Sequence, residues 1–487
     1  MPRWLGHAGG NLAEIVYLLG AGANQSVEDW HGLRPPLATN FFQAALRCDK
    51  YSGDHYSERI RPVYEYIDQY WRKTKSQLQT DPFDLEEVFT LLEQQRAEAE
   101  WQQDGEQFRR LATTEFLLQS FLAEFLAEFE YHAVTSETMR RFGAILYGEK
   151  PTILTFNYDC ILERIIESAF GVRSEIPAAF RGRPNERGEV TDEEIPYSHY
   201  NWNRPLAYGV EFAEVELQRA GLGTYVDGAR FYGHPQNMLY PWPVLKLHGS
   251  LNWFRYLPIR KYPVVGGPEP QLSEERRRGV VLIRGHWWFA EPPDRDGWLL
   301  DPLLITPTLD KQRFLRQPIF IELWNRARAE LSSCKRLVII GYSFPPTDFS
   351  TKRLFLEAFK DNSPQELVVV NPDMSVVPIV KELSHFDRPV VVCRDLEEYV
   401  ALYARRTAAH SAASRRRFPM EFREGQRVRV VQRGSIQVGG TTLTDNVFDG
   451  VVIVRKNADG TYGVRGIIKT AETDVIDIPA EWIEPLE

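Results

Sequence analysis

Short apolar runs that end in a polar turn and lead into a helix recur along this chain of 487 residues. They read, in order, EIVYLL (14–19), PTILTFNYD (151–159), VLKLHGS (244–250), RLVIIGYS (336–343), ELVVVNPD (366–373) and PVVVCRD (389–395). Runs of this kind are typical of strands that are buried on both faces, as in a parallel sheet covered by its crossover helices. The pattern predicts a Rossmann-like α/β domain with a mostly parallel sheet over residues 1–404.

Two insertions and a C-terminal module accompany this domain. Helical periodicity marks an insertion over about 55–148, and about 171–243 are rich in Pro, Gly, Arg and Tyr with little period. The basic stretch 405–417 is interpreted as a linker. Short runs with an NADG turn between them predict a five-stranded, all-β SH3-like barrel over 418–487.

Composition excludes several classes of protein. The net charge of -9 argues against a protein that coats nucleic acid, although the basic stretch leaves direct nucleic-acid contact open. The four cysteines lie far apart, which predicts neither a structural zinc module nor a disulfide framework. No apolar run reaches the ~18 residues of a membrane span. Because the first residues also lack the apolar core of a signal peptide, we expect a cytoplasmic protein without membrane contact.

Polar residues stand where the predicted strands end, at the edge where open α/β sheets bind ligands. In GAGAN, Gly20 permits a tight turn, and Gly22 would let backbone N–H groups approach a pyrophosphate. Asn157 would hold a ribose hydroxyl or orient water, and His248 is a histidine, the residue type whose unperturbed pKa is near neutral, which would deprotonate a ribose hydroxyl or water. Structural explanations stay open: Asn157 as the cap of a helix that begins at Tyr158, and His248 as a turn histidine.

In the order GAG, NYD, LHG, GYS and VNP, the strand ends resemble the sirtuin family. The forms TFNYD, KLHGS and GYSFPPTD are closest to those of the bacterial sirtuin-like proteins of antiphage defence, over roughly residues 12–400. The resemblance implies an NAD glycohydrolase, with NAD as its substrate, that depletes NAD when a phage is sensed. It also implies a homo-oligomer, and a partner such as a HerA-type ATPase or a short Argonaute.

The resemblance assigns roles to individual residues. His248 would be the catalytic base, with Asn157 and Asp159 at the nicotinamide ribose. The NAD phosphates and the adenosine half would be held by Gly20, Ala21, Gly22, Asn24, Gly341, Ser343 and Asn371. Asp395 is a looser match, near the adenine.

The chain also departs from the protein-deacylating sirtuins. It lacks their four-cysteine zinc module, and NQSVEDWHGLRPP stands where they carry an Asp-Phe-Arg run. Asn24 would replace a hydroxyl there, and Arg34 would stand near the lost arginine. These differences argue against lysine deacylation and favour water as the acceptor. A non-catalytic NAD or ADP-ribose sensor that signals to a partner is the alternative.

Overall fold

The computed structural model describes residues 14–28, 32–169, 204–219, 222–232, 243–258, 279–282, 294–295, 298–305, 317–345, 348–405, 427–431, 435–438, 441–444, 447–456, 462–465, 476–478 and 483–485. The chain divides into two compact units, Met1–Tyr403 and Ala404–Glu487. The predicted linker falls almost wholly outside the described residues, as does 170–203 of the second insertion.

The first unit contains the following elements. Its strands are β1 Ile15–Leu19, β2 Thr152–Thr155, β3 Glu214–Arg219, β4 Leu222–Asp227, β5 Val244–Lys246, β6 Gly249–Pro258, β7 Val280–Leu282, β8 Asp294–Arg295, β9 Trp298–Leu304, β10 Arg336–Ile340, β11 Glu366–Val370 and β12 Val391–Cys393. Its helices are α1 Phe41–Leu46, α2 Asp49–Ser52, α3 Asp54–Arg59, α4 Arg61–Trp71, α5 Lys75–Thr80, α6 Leu85–Trp101, α7 Gly105–Ala133, α8 Glu137–Glu149, α9 Ile161–Ala169, α10 Arg204–Ala207, α11 Gly228–Tyr232, α12 Pro318–Ser333, α13 Phe349–Ala358, α14 Val376–Leu383 and α15 over 396–405.

A six-stranded sheet in the order β12-β11-β10-β1-β2-β5 organises this unit, and every neighbouring pair in it is parallel. From β1 the chain builds outward in one direction through β2 and β5, and later in the other through β10, β11 and β12. The order therefore reverses between β1 and β10, which is the position where ligands bind in doubly wound sheets. The predicted Rossmann-like α/β fold is confirmed.

Both faces of this sheet are covered. Tyr17 and Val338 point into a core built with α1 to α9 and α15, whereas Val16 and Leu337 point into a second core built with α12, α13 and α14. Successive strand residues face opposite sides of a sheet, so a strand buried on both sides is apolar at most positions, and a buried polar side chain in it, such as Lys246, is paired. This double burial is the physical reason for the unbroken apolar runs in the sequence.

The predicted helical insertion is present and begins earlier than expected. Its two long helices, α6 and α7, are capped by the side chains of Asp84 and Asp104, which accept backbone N–H groups of the first turn. Helical structure already starts at Phe41 rather than near residue 55. Helices α1 to α3 have only four to six residues each, too few to give a periodic signal.

A second sheet was missed by the sequence interpretation. Strands β3 and β4 form an antiparallel hairpin, which joins a sheet in the order β4-β3-β7-β6-β9-β8. The interpretation of 171–243 as an irregular insertion was therefore wrong at 214–227. The signal was present, because the segment EVELQR alternates polar and apolar residues and Gly221 and Gly223 follow it closely in the sequence.

The C-terminal unit has β13 Arg427–Val431, β14 Ser435–Val438, β15 Thr441–Thr444, β16 Val447–Lys456, β17 Tyr462–Arg465, β18 Ile476–Ile478 and β19 Ile483–Pro485. Five of these strands form an antiparallel sheet in the order β18-β17-β16-β13-β19, and β14 pairs with β15. Strands β16 and β17 pair on either side of NADG, where the sequence predicts a hairpin. Closure into an SH3-like barrel stays a prediction.

Among the helices of the described ranges, none combines the length and the apolar composition needed to cross a bilayer.

Candidate functional site

The turns that follow β1 and β10 are in direct backbone contact where the strand order reverses. Gly20 N donates to Ile340 O at 2.9 Å, and Gly22 N donates to Gly341 O at 2.9 Å. Gly341 has φ +64, in the left-handed region, and a Cβ there would lie 2.2 Å from Ala23 N. A Cβ on Gly20 would lie 2.5 Å from Gly341 O. These glycines are needed for the two turns to meet.

This contact gives a different reason for a glycine at position 22. The sequence interpretation gave it a role in bringing backbone N–H groups close to a pyrophosphate. Its own N–H instead donates to the neighbouring turn, and a Cβ at this position would lie 2.7 Å from Gly341 Cα. The exposed residues beside the contact are Ala21 and Ser343, which are therefore the better candidates for touching a ligand.

Asn157 lies in the turn after β2 and bridges to the turn after β1. Its Nδ2 donates to Gly20 O at 3.1 Å, and its backbone N donates to Thr155 Oγ1 at 3.1 Å. Within the described part of the chain, its Oδ1 receives no hydrogen bond. The half-buried amide is thus anchored through its nitrogen and keeps its oxygen available as an acceptor.

Asp159, and not Asn157, caps the helix that follows. Helix α9 begins at Ile161, whose N–H donates to Asp159 Oδ1 at 3.0 Å. Asn24 Nδ2 donates to Asp159 Oδ2 at 2.9 Å, so both carboxylate oxygens are engaged. Burial raises the pKa of Asp159 to about 6, against the opposing effect of Lys246. The capping explanation for Asn157 is therefore wrong, and Asn24 is committed to a carboxylate.

His248 follows β5 and is 5% exposed. Thr155 pairs with Lys246 in parallel register, so Asn157 and His248 both come two residues beyond this pair. The imidazole ring lies 4.8 Å from the Phe156 ring and 6.2 Å from the Tyr158 ring, measured between centroids. The structure therefore places both residues at equivalent positions beyond two adjacent strands, and it sets the imidazole beside two aromatic rings.

Two further sets of contacts connect the turns at this edge of the sheet. The Phe156 ring stacks on the Tyr342 ring at 4.5 Å, which connects the turns after β2 and β10. Tyr158 OH donates to Ile305 O at 2.7 Å, and Ile305 N donates to His248 O at 2.8 Å. The backbone around His248 is therefore fixed from both β2 and β9.

The other residues predicted for the site, Asn371, Asp395 and Arg34, have partners within the protein. Asn371 Nδ2 donates to Tyr342 O at 3.1 Å, and its Oδ1 accepts from Asp373 N at 2.9 Å. The side chain of Asp395 is exposed and accepts from Glu398 N at 2.8 Å, as a cap of α15. Arg34 forms an exposed ion pair with Glu28. Roles for these residues at a nucleotide stay predictions.

In the part of the chain that the structure describes, no group of three or more His, Cys, Asp or Glu side chains is arranged to hold a metal ion. Cys160, Cys334 and Cys393 are buried, and Cys48 is half-buried. The expected independence from zinc stays a prediction.

The sequence interpretation missed a buried polar network around Lys246, which contacts the turn that carries Asn157. Lys246 Nζ lies 3.0 Å from Glu163 Oε1 and also donates to the carbonyl oxygen of Asp159. Tyr208 OH donates to the same Glu163 oxygen at 2.9 Å, and Asn252 Nδ2 donates to Tyr208 OH at 3.2 Å. A lysine inside the apolar run VLKL was the available signal, because buried lysines are almost always paired.

Comparisons with known proteins identify structural neighbours only. No protein-family model matches the chain, and no curated protein matches it. Among solved structures, a Sir2 homologue in complex with NAD is similar at 12% identity and a TM-score of 0.34, over 81% of this chain and 90% of that chain. A Sir2 homologue mutant in complex with ADP-ribose matches at 12% identity and a TM-score of 0.31, over 81% and 93% of the two chains. At such identities residue roles do not transfer from these proteins to this chain.

Proposed function

We propose that this protein is an NAD glycohydrolase, which adds water to NAD and releases nicotinamide, ADP-ribose and a proton. The observation that carries the proposal is the pairing of Asn157 and His248. They follow β2 and β5, which are adjacent parallel strands in register, at the carboxyl edge of the sheet, and β2 lies next to β1, where the strand order reverses. Nucleotides bind in this crevice in doubly wound sheets. Asn157 offers an acceptor oxygen there, and His248 offers an imidazole.

The chemistry fits these two groups. Breaking the bond between nicotinamide and ribose develops oxocarbenium-like charge at the anomeric carbon, as in other glycosidic cleavages. Nicotinamide leaves with the bonding electrons, and water forms the new bond to carbon. Asn157 Oδ1 would accept a hydrogen bond from that water or from a ribose hydroxyl, and His248 would take the proton. The Phe156 and Tyr158 rings beside the imidazole would restrict bulk water.

Asp159 is proposed to act indirectly. Both of its oxygens are engaged, by Asn24 and by the backbone of Ile161, and the residue is buried. It would hold the turn that carries Asn157 and would not touch the ribose. Ala21 and Ser343 are exposed beside the glycine contact and are proposed to line the phosphate path.

The test is nicotinamide release from NAD by the purified protein and by five variants. Asn157→Ala and His248→Ala should each lower the rate on the order of 10²-fold or more, as loss of a general base or of a water-orienting group does. Asn362→Ala and His55→Ala remove the same side chains at exposed positions and should keep the wild-type rate. Because His248 is buried, His248→Gln and a thermal unfolding curve separate lost chemistry from lost folding.

NAD binding is measured on the same samples, with and without a lysate of phage-infected cells. Binding without release in every condition would overturn hydrolysis and favour the sensor function. Release that persists in Asn157→Ala and in His248→Gln would overturn the residue assignment. Turnover of acetylated peptide would instead indicate a deacylase.

We also propose a role in antiphage defence, which rests only on the resemblance of the sequence motifs. Hydrolysis of NAD is toxic to the cell that contains the enzyme, so it must be held off until a trigger arrives. We propose control by homo-oligomer assembly and by a partner such as a HerA-type ATPase or a short Argonaute, with the C-terminal unit as an SH3-like contact module. Light scattering of the purified chain, alone and with a candidate partner, tests the assembly.

A further inference from the structure

Lys246 is the cation of the buried polar network and connects two elements of the proposed site. The side chain is 1% exposed, and its partner Glu163 is 0% exposed. Burial is the largest effect and opposes the charge of Lys246, but the combined effects of Glu163, Cys160 and Asp159 outweigh it, so the pKa of the ammonium is raised above its ordinary value. Lys246 is therefore a charged group fixed inside the protein.

Its position in the chain matters for the site. Lys246 lies on β5, two residues before His248, and its Nζ donates to the carbonyl oxygen of Asp159, two residues after Asn157. One ammonium thus joins the strand that leads to His248 and the turn that presents Asn157. Glu163, on α9, accepts from the same ammonium and prevents it from moving away.

We propose that Lys246, held by Glu163, is a positioning residue that fixes the Asn157 turn against the strand that carries His248. The catalytic part of this proposal rests on the proposed hydrolysis of NAD. Lys246 does not act on substrate itself, since both of its contacts lie inside the protein and the side chain is covered.

Stability alone does not account for this network. Buried ion pairs can often be replaced by apolar side chains of similar size without loss of stability. Glu163 Oε2 receives no hydrogen bond within the described residues, and neither does Asn252 Oδ1, so the network is incompletely satisfied. A group retained only for stability would be better apolar. A directional tie from an ammonium to a backbone carbonyl is what an apolar side chain cannot supply.

The experiment compares Lys246→Met with the double variant Lys246→Met/Glu163→Met. The single variant leaves Glu163 buried without its cation and should lower the unfolding temperature. The double variant removes both charges and should regain that temperature. We expect kcat for nicotinamide release to stay reduced by about tenfold to 10²-fold in the double variant, because a small misplacement of reacting groups has an effect of that order. KM for NAD should change less than kcat.

The matched control is a second ion pair between α6 and α7, far from β5 in the chain. Arg96→Met/Glu115→Met removes charges that are 18% and 5% exposed, and kcat should stay at the wild-type value. Recovery of both stability and kcat in the Lys246/Glu163 double variant would overturn the positioning role. A tenfold loss of kcat in the control would do the same, since any buried pair would then have this effect.

A second readout does not need activity. The amide of Leu251 donates to Tyr158 O, and the amide of Ile161 donates to Asp159 Oδ1. Both should exchange with deuterium at least about tenfold faster in the double variant, whereas the amide of Phe156, bonded to Leu19 O, should not change. If the wild-type protein releases no nicotinamide, the hydrolase proposal fails. Hydrogen exchange alone then tests whether Lys246 holds the turn that carries Asn157. Unchanged exchange at Leu251 and Ile161 would overturn it.

Discussion

Gly341→Ala is the substitution that the structure marks as most damaging to the contact between the turns after β1 and β10. Gly341 has φ +64, and an added Cβ would lie 2.2 Å from Ala23 N and 2.2 Å from Gly22 C. Both neighbours are backbone atoms, so no side chain can rotate away to make room. The turn after β1 would have to shift as a whole.

The cost has two parts. A residue with a Cβ in the left-handed region loses about 1–2 kcal/mol. Forcing a methyl group into a packed interior adds about 1–3 kcal/mol. The sum is about 2–5 kcal/mol, a large fraction of the ~5–15 kcal/mol that stabilises a typical domain.

Hydrogen exchange at two amides reports this loss locally. Gly20 N donates to Ile340 O and Gly22 N donates to Gly341 O, so both amides are protected only while the turns stay in contact. A loss of about 2–5 kcal/mol corresponds to exchange that is roughly 30-fold to several thousand-fold faster. Exchange at these two amides reports the contact between the turns itself, whereas global unfolding of a chain with two compact units combines several contributions.

Gly148→Ala is the matched control. Gly148 is exposed in α8, and a Cβ there would meet nothing within 4 Å. The same chemical change should stabilise the helix by up to about 1 kcal/mol and leave exchange at Gly20 and Gly22 unchanged. If Gly341→Ala exchanges at these amides like wild type, the glycine requirement inferred here is wrong.

Three further substitutions test the electrostatics. The folded-state pKa of Asp159 is raised from 3.8 to about 6, so its contribution to stability is complete below pH 4 and is lost as the pH rises through 6. Wild type should lose about 3 kcal/mol between pH 4 and 7 from this group, and Asp159→Asn should not, which unfolding at a series of pH values measures; parallel curves would refute it. Asn24→Ala leaves the buried Asp159 Oδ2 without its donor and should cost about 1–3 kcal/mol at pH 7, with less loss at pH 5, as judged by thermal unfolding. Arg34→Ala breaks a pair that is 55% and 53% exposed and should change stability by less than about 1 kcal/mol; a larger effect would indicate a contact beyond Glu28.

The parallel sheet was predictable because each of its strands is apolar at nearly every position. Residues such as Val16 and Tyr17 are both fully buried, on opposite faces, and this leaves a local signal in the sequence. Helices α6 and α7 were predictable for a similar reason, since 17 and 29 residues repeat the helical period several times. Local patterns of this length are visible without knowledge of the tertiary structure.

The short strands of the second sheet and the polar network were not predicted, because the interactions that define them join residues far apart in sequence. Strand β7 has three residues and β8 has two, and each is defined by its pairing partners rather than by its own sequence. Lys246 and Glu163 are 83 residues apart in sequence, and no local period connects them. Only the presence of a lysine in an apolar strand indicated that a distant anion was required.

The site residues named from the motifs divide into two groups once their contacts are known. The side chains of Asn24, Asp159 and Asn371 form hydrogen bonds with other parts of the protein, and the N–H of Gly22 donates to Gly341 O. A strand-end motif therefore mixes residues that build the crevice with residues that would use it, and sequence position alone does not separate them.

The groups that these contacts leave exposed to a ligand favour the proposed hydrolysis of NAD over a sensor that only binds NAD. Asn157 keeps an acceptor oxygen, and the remaining exposed positions at the glycine contact are Ala21 and Ser343. A sensor would need many donors for the phosphates but would not need Asn157 and His248 in register. The proposed hydrolase would use this pair and would need a rigid backbone on both sides of it, because a misplaced water does not react. The ties from Lys246, Asp159 and Ile305 supply that rigidity, so variants that loosen them should lower kcat for nicotinamide release before they lower NAD binding.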